Sequence, residues 1–220
     1  MKVALLFIFE YLCQKTFAMK IKHVTILVIA LVLLDQLLKM WIKTNLCIGE
    51  AIDIFSWFKL QFVENNGAAF GMQLSSSGGF DWGKLLLSLF RVVMIGLLGY
   101  YIHHLARRKE RTPKGVIIGL SLVLAGAIGN LIDSMFYGMI FSESTFTTVA
   151  HWGDGYGNFM MGKVVDMFYF PLFRWESVPQ WLEFLVDSDR YFFGAIFNLA
   201  DAYISVAVVY LLLFQYKFFK

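Results

Sequence analysis

Charged residues are scarce in this chain, and hydrophobic residues are abundant. Only 16% of its 220 residues are Asp, Glu, Lys or Arg, whereas 59% are hydrophobic, and the mean hydropathy is +0.65. Soluble domains contain about 25% charged residues. The composition therefore excludes a soluble globular protein and predicts an integral membrane protein, and the length leaves room for one domain.

Cysteine and histidine are scarce as well. The chain has two cysteines, Cys13 and Cys47, and four histidines. The topology inferred below places the two cysteines on opposite sides of the membrane, which argues against a disulfide, and no zinc-binding spacing is present. We therefore expect no metal site.

Four apolar segments are long enough to cross the ~30 Å hydrocarbon core of a bilayer, which takes about 20 residues. Backbone groups in lipid must be hydrogen-bonded within their own segment, so these segments are predicted to be helices. They comprise residues 22–43, 84–106, 114–135 and 193–216. The predicted fold is an all-α membrane protein, a bundle of four transmembrane helices.

Lysine and arginine are concentrated in three flanks that lie on one side of the membrane if the four helices alternate in direction. These flanks contain Lys15, Lys20 and Lys22, then Arg107, Arg108, Lys109, Arg111 and Lys114, and finally Lys217 and Lys220. Positive charge marks the cytoplasmic side, so both termini are predicted to be cytoplasmic. The loops 44–83 and 136–192 are then outside.

The first 18 residues differ in character from the rest. Lys2 and the apolar residues 3–9 resemble a short signal sequence, but Glu10 interrupts it and no cleavage site of small residues follows. We therefore interpret residues 1–18 as a mis-assigned start or a dispensable extension. Residues 19–220 are predicted to form a single membrane domain.

The first outer loop is predicted to contain a strand and a hairpin. Leu60 and Phe62 lie in a β-like pattern that ends in an Asn-Asn-Gly turn at Asn65 to Gly67. The small residues from Gly67 to Ala69 leave the backbone open, so an extended peptide could add a strand there. An ordinary hairpin that lies on the bilayer is the alternative.

Several polar residues interrupt the apolar segments. A carboxylate at membrane depth costs roughly 2.5–3.5 kcal/mol on insertion scales, so Asp201 is by default a functional-site residue. Asp35 and Lys39 are spaced i, i+4, which fits either a self-neutralising pair with Lys39 reaching the surface or a functional pair. The motif Asn-x-x-Asp occurs twice, at Asn130 to Asp133 and at Asn198 to Asp201.

These polar residues are predicted to lie at a common depth. Lys39, Asn130, Arg91 and Asp201 are each 16 or 17 residues from a cytoplasmic lysine or arginine. At ~1.5 Å per residue they lie roughly 24–26 Å above the cytoplasmic boundary, just below the outer surface. We interpret them as parts of one shared site.

The chemistry that fits such a site is hydrolysis by a pair of carboxylates. Two carboxyl groups in contact share a proton, so that the ionised one activates water and the protonated one acts as an acid. Asp166, in the second outer loop, is the candidate partner of Asp201. Asp166 and Asp201 are therefore the candidate catalytic residues.

Five short motifs, in this order, resemble those of lipoprotein signal peptidases, the signal peptidase II family of bacterial inner membranes. They are Asp35-Gln36-x-x-Lys39, Asn65-x-Gly67-Ala68-Ala69-Phe70, Gly126-Ala127-Ile128-Gly129-Asn130-x-x-Asp133, Val164-Val165-Asp166 and Phe197-Asn198-x-Ala200-Asp201. The resemblance extends from about residue 20 to the C-terminus.

The resemblance implies an aspartic endopeptidase that cleaves diacylglyceryl-modified prolipoproteins before the lipidated cysteine, with Asp166 and Asp201 as its dyad. It implies no metal or organic cofactor, inhibition by globomycin-type cyclic peptides, membrane lipids as surroundings, no nucleic-acid partner and a monomeric state. It further implies a substrate-binding or supporting role for a set of other residues. These are Asp35, Lys39, Asn65, Gly67, Asn130, Asp133 and Asn198.

Two features depart from the family pattern. Ser134 stands where an arginine commonly follows the third-helix aspartate, and the outer loop before Asp166 is longer. One hypothesis is that Arg91 supplies the missing charge to Asp133 or contacts the substrate beside it, and the other is that Arg91 reaches lipid phosphates.

Two other functions fit the composition. A small ion-coupled transporter subunit also carries acids within the membrane, but it needs a chain of polar residues across the bilayer rather than one level of them. A lipid-binding structural subunit would need no paired carboxylates.

Overall fold

Among the residues that the structure describes, three helices are long and apolar enough to cross a membrane. The computed structural model describes residues 19–66, 76–77, 80–107, 112–186, 191–192 and 194–220. The three helices are α1 (Ile21–Asn45), α2 (Trp82–Arg107) and α3 (Lys114–Ile140). The predicted bounds of the first two agree with the structure within two residues, because long apolar runs are a strong signal.

The fourth predicted segment is shorter than expected. Helix α4 spans Leu199–Phe214, 16 residues, which is about 24 Å at 1.5 Å per residue. The predicted start at residue 193 was wrong, because Phe197 is paired with a strand instead. Its backbone N–H donates to the carbonyl of Phe168 at 3.2 Å, and the N–H of Phe168 donates back at 2.7 Å.

Helix α3 continues beyond its predicted end at residue 135. A π-helical turn, Asp133–Tyr137, follows Ile132, and the last turn is Gly138–Ile140. Such a turn leaves carbonyl groups without their usual helical partners. Here the loop after α3 satisfies one of them, since the N–H of Gly162 donates to the carbonyl of Ser134 at 2.8 Å. The loop therefore stabilises the extension.

A small antiparallel sheet lies in the loops between α1 and α2 and after α3, with the strand order β1-β2-β5. Its strands are β1 (Ala51–Phe55), β2 (Phe58–Asn65) and β5 (Val164–Tyr169). Two-residue strands β3 (Ser76–Ser77) and β4 (Phe80–Asp81) pair separately. The predicted strand through Leu60 and Phe62 is thus present as β2, whereas β5, which carries Asp166, was not predicted.

The register of β2 on β5 decides which side chains share a face. Leu60 is opposite Phe168 and Val63 is opposite Asp166, so β2 contains one extra residue between these pairs. Beyond this bulge Glu64 is opposite Val165. Because successive strand residues point to opposite faces, Asp166 lies on one face and Glu64 on the other.

The described residues form two compact units. The first contains residues up to Leu34, Arg91–Gly129 and Ala200–Lys220. Its core joins α1, α2, α3 and α4 through residues such as Val24, Ile102, Ile117 and Leu211. At Gly126 a Cβ atom would lie 2.4 Å from the carbonyl oxygen of Ala200. Glycine is therefore needed for the close approach of α3 and α4.

The second unit contains Asp35–Phe90 and Asn130–Leu199. Its apolar core packs the C-terminal end of α1 and the π turn of α3 against the sheet. The buried members of this core are Ile42, Leu46, Phe62, Tyr137, Phe141, Ala150, Val165 and Met167. The polar residues described next lie in this unit.

Candidate active site

Lys39 is the centre of a buried polar network. Its ammonium lies 3.1 Å from the Asp35 carboxylate and 2.8 Å from that of Asp133, and it donates to Asn130 Oδ1 at 2.9 Å. The side chains of all three charged residues are at most 1% exposed. Lys39 therefore does not extend to the surface, and one buried cation is shared by two carboxylates.

Gln36 and Tyr137 complete the surroundings of the two carboxylates. Gln36 Nε2 donates to Asp35 at 3.2 Å and to Asp133 at 2.9 Å. Its carbonyl oxygen accepts from the Tyr137 hydroxyl at 3.2 Å. Sequence reasoning assigned no role to either residue, although Gln36 lies between Asp35 and Lys39 in the first motif. Together they add hydrogen bonds to the buried polar atoms of this network.

The network continues through two amides to Asp166. Asn130 Oδ1, which accepts from Lys39, also accepts from Asn198 Nδ2 at 3.1 Å. Asn198 Nδ2 in turn donates to Asp166 Oδ1 at 2.7 Å. The backbone N–H of Val165, next to Asp166, donates to Asp133 Oδ2 at 3.3 Å. The structure thus brings Lys39, Asn130, Asn198 and Asp166 together.

The second carboxylate oxygen of Asp166 has an amide donor from β2. Asn65, the last residue of β2, donates from Nδ2 to Asp166 Oδ2 at 3.3 Å. Both oxygens of this buried carboxylate therefore accept an amide hydrogen bond, one from the end of a strand and one from the residue before α4. Two donors on separate elements fix the orientation of the carboxylate.

The remaining predicted site residues are placed as follows. Asp201 is half-buried in the first turn of α4, where the helix dipole favours a negative charge. Arg91 is half-buried within α2, and both residues belong to the first unit. Gly67 lies outside the described residues.

The expectation that Asp133 lacks a cation was wrong. Lys39 on α1 contacts its carboxylate directly, so Asp133 has a cation without any contribution from Arg91. Ser134 instead donates its hydroxyl to the carbonyl of Asn130 at 3.0 Å. The argument for Arg91 as partner of Asp133 therefore loses its premise, because the partner came from a helix distant in sequence.

A second buried charge cluster was missed from the sequence. Lys43, one turn after Lys39, pairs with Glu64, and its ammonium donates to the Ser144 hydroxyl at 2.9 Å. Lys163 lies 3.2 Å from the other oxygen of Glu64. The i+4 spacing of Asp35, Lys39 and Lys43 on one helix face was the signal that could have revealed it.

Tyr156 belongs to this cluster. Burial raises the pKa of its hydroxyl well above the ordinary value, so the phenol is neutral at physiological pH. Its oxygen accepts a hydrogen bond from the backbone N–H of Lys163 at 2.7 Å. The ammonium groups of Lys43 and Lys163 lie 5.1 Å and 5.2 Å from the centre of its ring. Tyr156 therefore contacts both lysines through its ring.

The sequence of this chain is similar to those of known membrane peptidases. A family model described as signal peptidase (SPase) II matches residues 27–217. The lipoprotein signal peptidase of Porphyromonas gingivalis is 43% identical over 194 residues, 87% of this chain and 81% of that protein. The lipoprotein signal peptidase of Amoebophilus asiaticus is 34% identical over 188 residues, 83% and 72% of the two chains.

A solved structure has a similar fold. It is a bacterial membrane enzyme determined by the in meso method at 1.9 Å resolution, with a TM-score of 0.57 and 20% identity, covering 87% of this chain and 91% of that one. The likeness shows that the two chains share a fold. With the match over residues 27–217, the chain belongs to the signal peptidase II family, a family of aspartic peptidases.

Proposed function

We propose that this protein is a membrane endopeptidase that removes signal peptides from diacylglyceryl-modified prolipoproteins. Cleavage takes place before the lipidated cysteine, and Asp166 and Asp201 are the catalytic dyad. The observation that carries the proposal is the Asp166 carboxylate, which is buried and holds an amide donor on each oxygen. Membership of the signal peptidase II family supplies the reaction class.

The position of Asp201 in the chain supports its pairing with Asp166. Asn198, which donates to Asp166 at 2.7 Å, precedes Asp201 by three residues. Three residues of chain span at most about 11 Å. The helix that begins at Leu199 places Asp201 in its first turn, so the same short segment supplies a donor to one aspartate and carries the other.

The proposed mechanism needs only these two carboxyl groups and water. The ionised carboxylate takes a proton from the water as it attacks the scissile carbonyl, and the protonated carboxyl group donates to the carbonyl oxygen. The carboxyl group that took the proton of water then donates it to the leaving nitrogen as the C–N bond breaks, and the other carboxylate takes back a hydroxyl proton from the tetrahedral diol, which restores the starting state of the pair.

The surrounding residues have supporting roles in this proposal. Asn65 and Asn198 orient Asp166, and Lys39 holds the carboxylates of Asp35 and Asp133 behind the site. The open backbone expected at Gly67 would accept the extended substrate as an added strand. Arg91 is proposed to contact substrate or lipid phosphate groups.

The enzyme is proposed to act in the bacterial inner membrane. It would cross the bilayer four times, with both termini in the cytoplasm and the site near the periplasmic face, as a monomer inhibited by globomycin-type cyclic peptides. The positive flanks and the apolar helices support this arrangement. An ion-coupled transporter finds no support in the relatives, which are named as lipoprotein signal peptidases.

The direct test is cleavage in vitro. Purified protein in detergent is incubated with a synthetic diacylglyceryl prolipoprotein peptide and with the same peptide lacking the lipid. We expect one cut, before the modified cysteine of the lipidated peptide, and identification of the products by mass spectrometry. No cleavage of the lipidated peptide, or a cut at another bond, would contradict the proposal.

A further inference from the structure

The burial of the Lys43 ammonium costs desolvation free energy. Its side chain is 0% exposed, and its ammonium pairs with Glu64, which is 3% exposed. Its ammonium also lies 5.9 Å, 5.6 Å and 5.1 Å from the ring centres of Phe62, Phe141 and Tyr156. Well-packed apolar residues often replace a buried ion pair without loss of stability. The pair therefore calls for a reason other than stability.

Glu64 connects the ends of two strands that meet at Asp166. One oxygen of Glu64 contacts Lys43 and the other lies 3.2 Å from Lys163. Lys163 immediately precedes β5, which carries Asp166. A single carboxylate therefore ties the end of β2 both to α1 and to the start of β5.

The residue after Glu64 is Asn65, which donates to Asp166. Glu64 is opposite Val165, a fully buried core residue, and adjacent strand residues point to opposite faces. If Glu64 is held on the core face, the end of β2 cannot rotate about its own axis. Asn65, the next residue, is then held on the opposite face, towards Asp166. Asn65 is the last residue of β2 and is exposed.

The long loop that precedes Asp166 provides further contacts to the Glu64 carboxylate and to the two lysines that pair with it. Ser144 accepts from Lys43 at 2.9 Å and donates to Glu64 at 3.2 Å. Tyr156 contacts both lysines. Three residues of this loop, Ser144, Tyr156 and Lys163, therefore surround one ion pair.

We propose that Glu64, clamped between Lys43 and Lys163, is a positioning residue that holds the Asn65 amide on the Asp166 carboxylate. The inference rests on the proposed peptidase function. Glu64 touches no reacting atom and acts through Asn65. A displacement of about 1 Å at a reacting group can cost on the order of 100-fold in rate.

The first measurement is the steady-state kinetics of Glu64→Gln, which keeps the shape of the side chain and removes its charge. We expect kcat to fall about 10- to 100-fold with KM within about threefold of the unchanged protein, because substrate contacts remain while the carboxylate is misplaced. The matched control is Asp53→Asn in the same sheet, since the Asp53–Lys59 pair is solvent-exposed. It should leave both constants unchanged.

The decisive experiment is a double-mutant cycle with Asn65→Ala. If Glu64 acts through Asn65, then Glu64→Gln should have almost no further effect on kcat once Asn65 is Ala. If the two losses multiply, Glu64 does not work through Asn65 and the inference is wrong. A merely structural role would give such independent losses.

A double variant that leaves no unpaired buried charge serves as the control for folding defects. Lys43→Met combined with Glu64→Gln removes both partners, so it should unfold in detergent at nearly the temperature of the unchanged protein and still show the loss of kcat. Full activity in this variant would overturn the inference. Failure of the unchanged protein to cleave the lipidated peptide would instead overturn the proposed function, and with it the basis of this inference.

Discussion

Asp166 and Asp201 have different surroundings although they are proposed to act together. Asp166 is buried, and amides of Asn65 and Asn198 donate to its two oxygens. Asp201 is half-buried in the first turn of α4, where the positive end of the helix dipole lies. Unequal environments are what divides the roles of acid and base between two carboxyl groups.

The dyad predicts the effect of two amide substitutions. Asp166→Asn and Asp201→Asn should each reduce cleavage of the lipidated peptide by about 1,000-fold or more. The reason is that an amide can neither take up nor donate the proton that each carboxyl group transfers. The protein should remain inserted and folded. Activity is measured with the lipidated peptide, and insertion by extraction from membranes.

The matched control for this pair is Asp154→Asn. Asp154 is exposed in the outer loop with a φ of 49°, a conformation that asparagine tolerates. This variant should keep full activity. Near-normal turnover by either dyad variant would sink the catalytic assignment.

Lys39 allows a prediction for stability. Lys39→Met leaves the buried carboxylates of Asp35 and Asp133 without their shared cation, which should cost about 3–5 kcal/mol. Lys59→Met, which removes a partly exposed cation from an exposed pair, should cost at most about 1 kcal/mol. Thermal unfolding in detergent compares the two. Equal, small effects would show that the Lys39 network contributes little.

At the scale of elements, the π turn of α3 depends on the loop that covers it. A Cβ atom at Gly162 would lie 2.1 Å from the carbonyl oxygen of Asp133 and 3.0 Å from the backbone nitrogen of Gly138. Both are backbone atoms, so neither can move aside as a side chain would. The loop and the turn must therefore separate if Gly162 acquires a side chain.

Gly162→Ala should lower the unfolding temperature and also reduce activity, because Asp133 begins the π turn and binds Lys39. We expect a loss of about 1–3 kcal/mol, the usual cost of overpacking. Gly157→Ala in the same loop is the control, since its nearest contact would be 3.7 Å away. If both variants behave alike, the close approach at Gly162 is not what matters.

The elements differ in how well the sequence predicts them. The bounds of α1 and α2 follow from long apolar runs, which bilayer thickness constrains. The end of α3 does not, because the π turn is stabilised by hydrogen bonds from Met160 and Gly162, which are distant in sequence. β5 was missed for the same reason, since its partner β2 is about 100 residues earlier and its buried residues do not alternate in polarity.

In the candidate site, too, contacts between residues distant in sequence could not be predicted. Asp35, Lys39, Asn130 and Asp133 are recognisable as polar residues in apolar helices. That Lys39 pairs with Asp133 depends on how α1 and α3 meet, which spacing along one helix cannot reveal. The same reason explains why Lys43 and Glu64 passed unnoticed.

For the whole molecule, residues 1–18 are proposed to be dispensable. The remaining chain keeps Lys20 and Lys22 as its positive flank, and these orient the first span. A protein that begins at Met19 should insert with the same topology and cleave the lipidated peptide at the same rate. Reduced insertion or activity of the shortened protein would show that the segment belongs to the functional chain.

The proposed fourth crossing of the membrane depends on a short helix. Helix α4 has 16 residues, about 24 Å, so it is short for a ~30 Å core. A short span is tolerated by local thinning of the bilayer and by flanking side chains that reach the interface. Lys217 and Lys220 follow α4 and are exposed, and lysines of this kind place their ammonium groups at the membrane surface.

If α4 crosses, the C-terminus is cytoplasmic. Alkaline phosphatase, which is active only outside the cytoplasm, should then be inactive when fused after Lys220, and green fluorescent protein fused there should fluoresce. The control is a phosphatase fusion after Thr147, an exposed residue of the outer loop, which should be active. An active phosphatase after Lys220 would mean that α4 does not cross, and since the positive flank at Lys217 and Lys220 would then lie outside, the four-span topology would have to be abandoned.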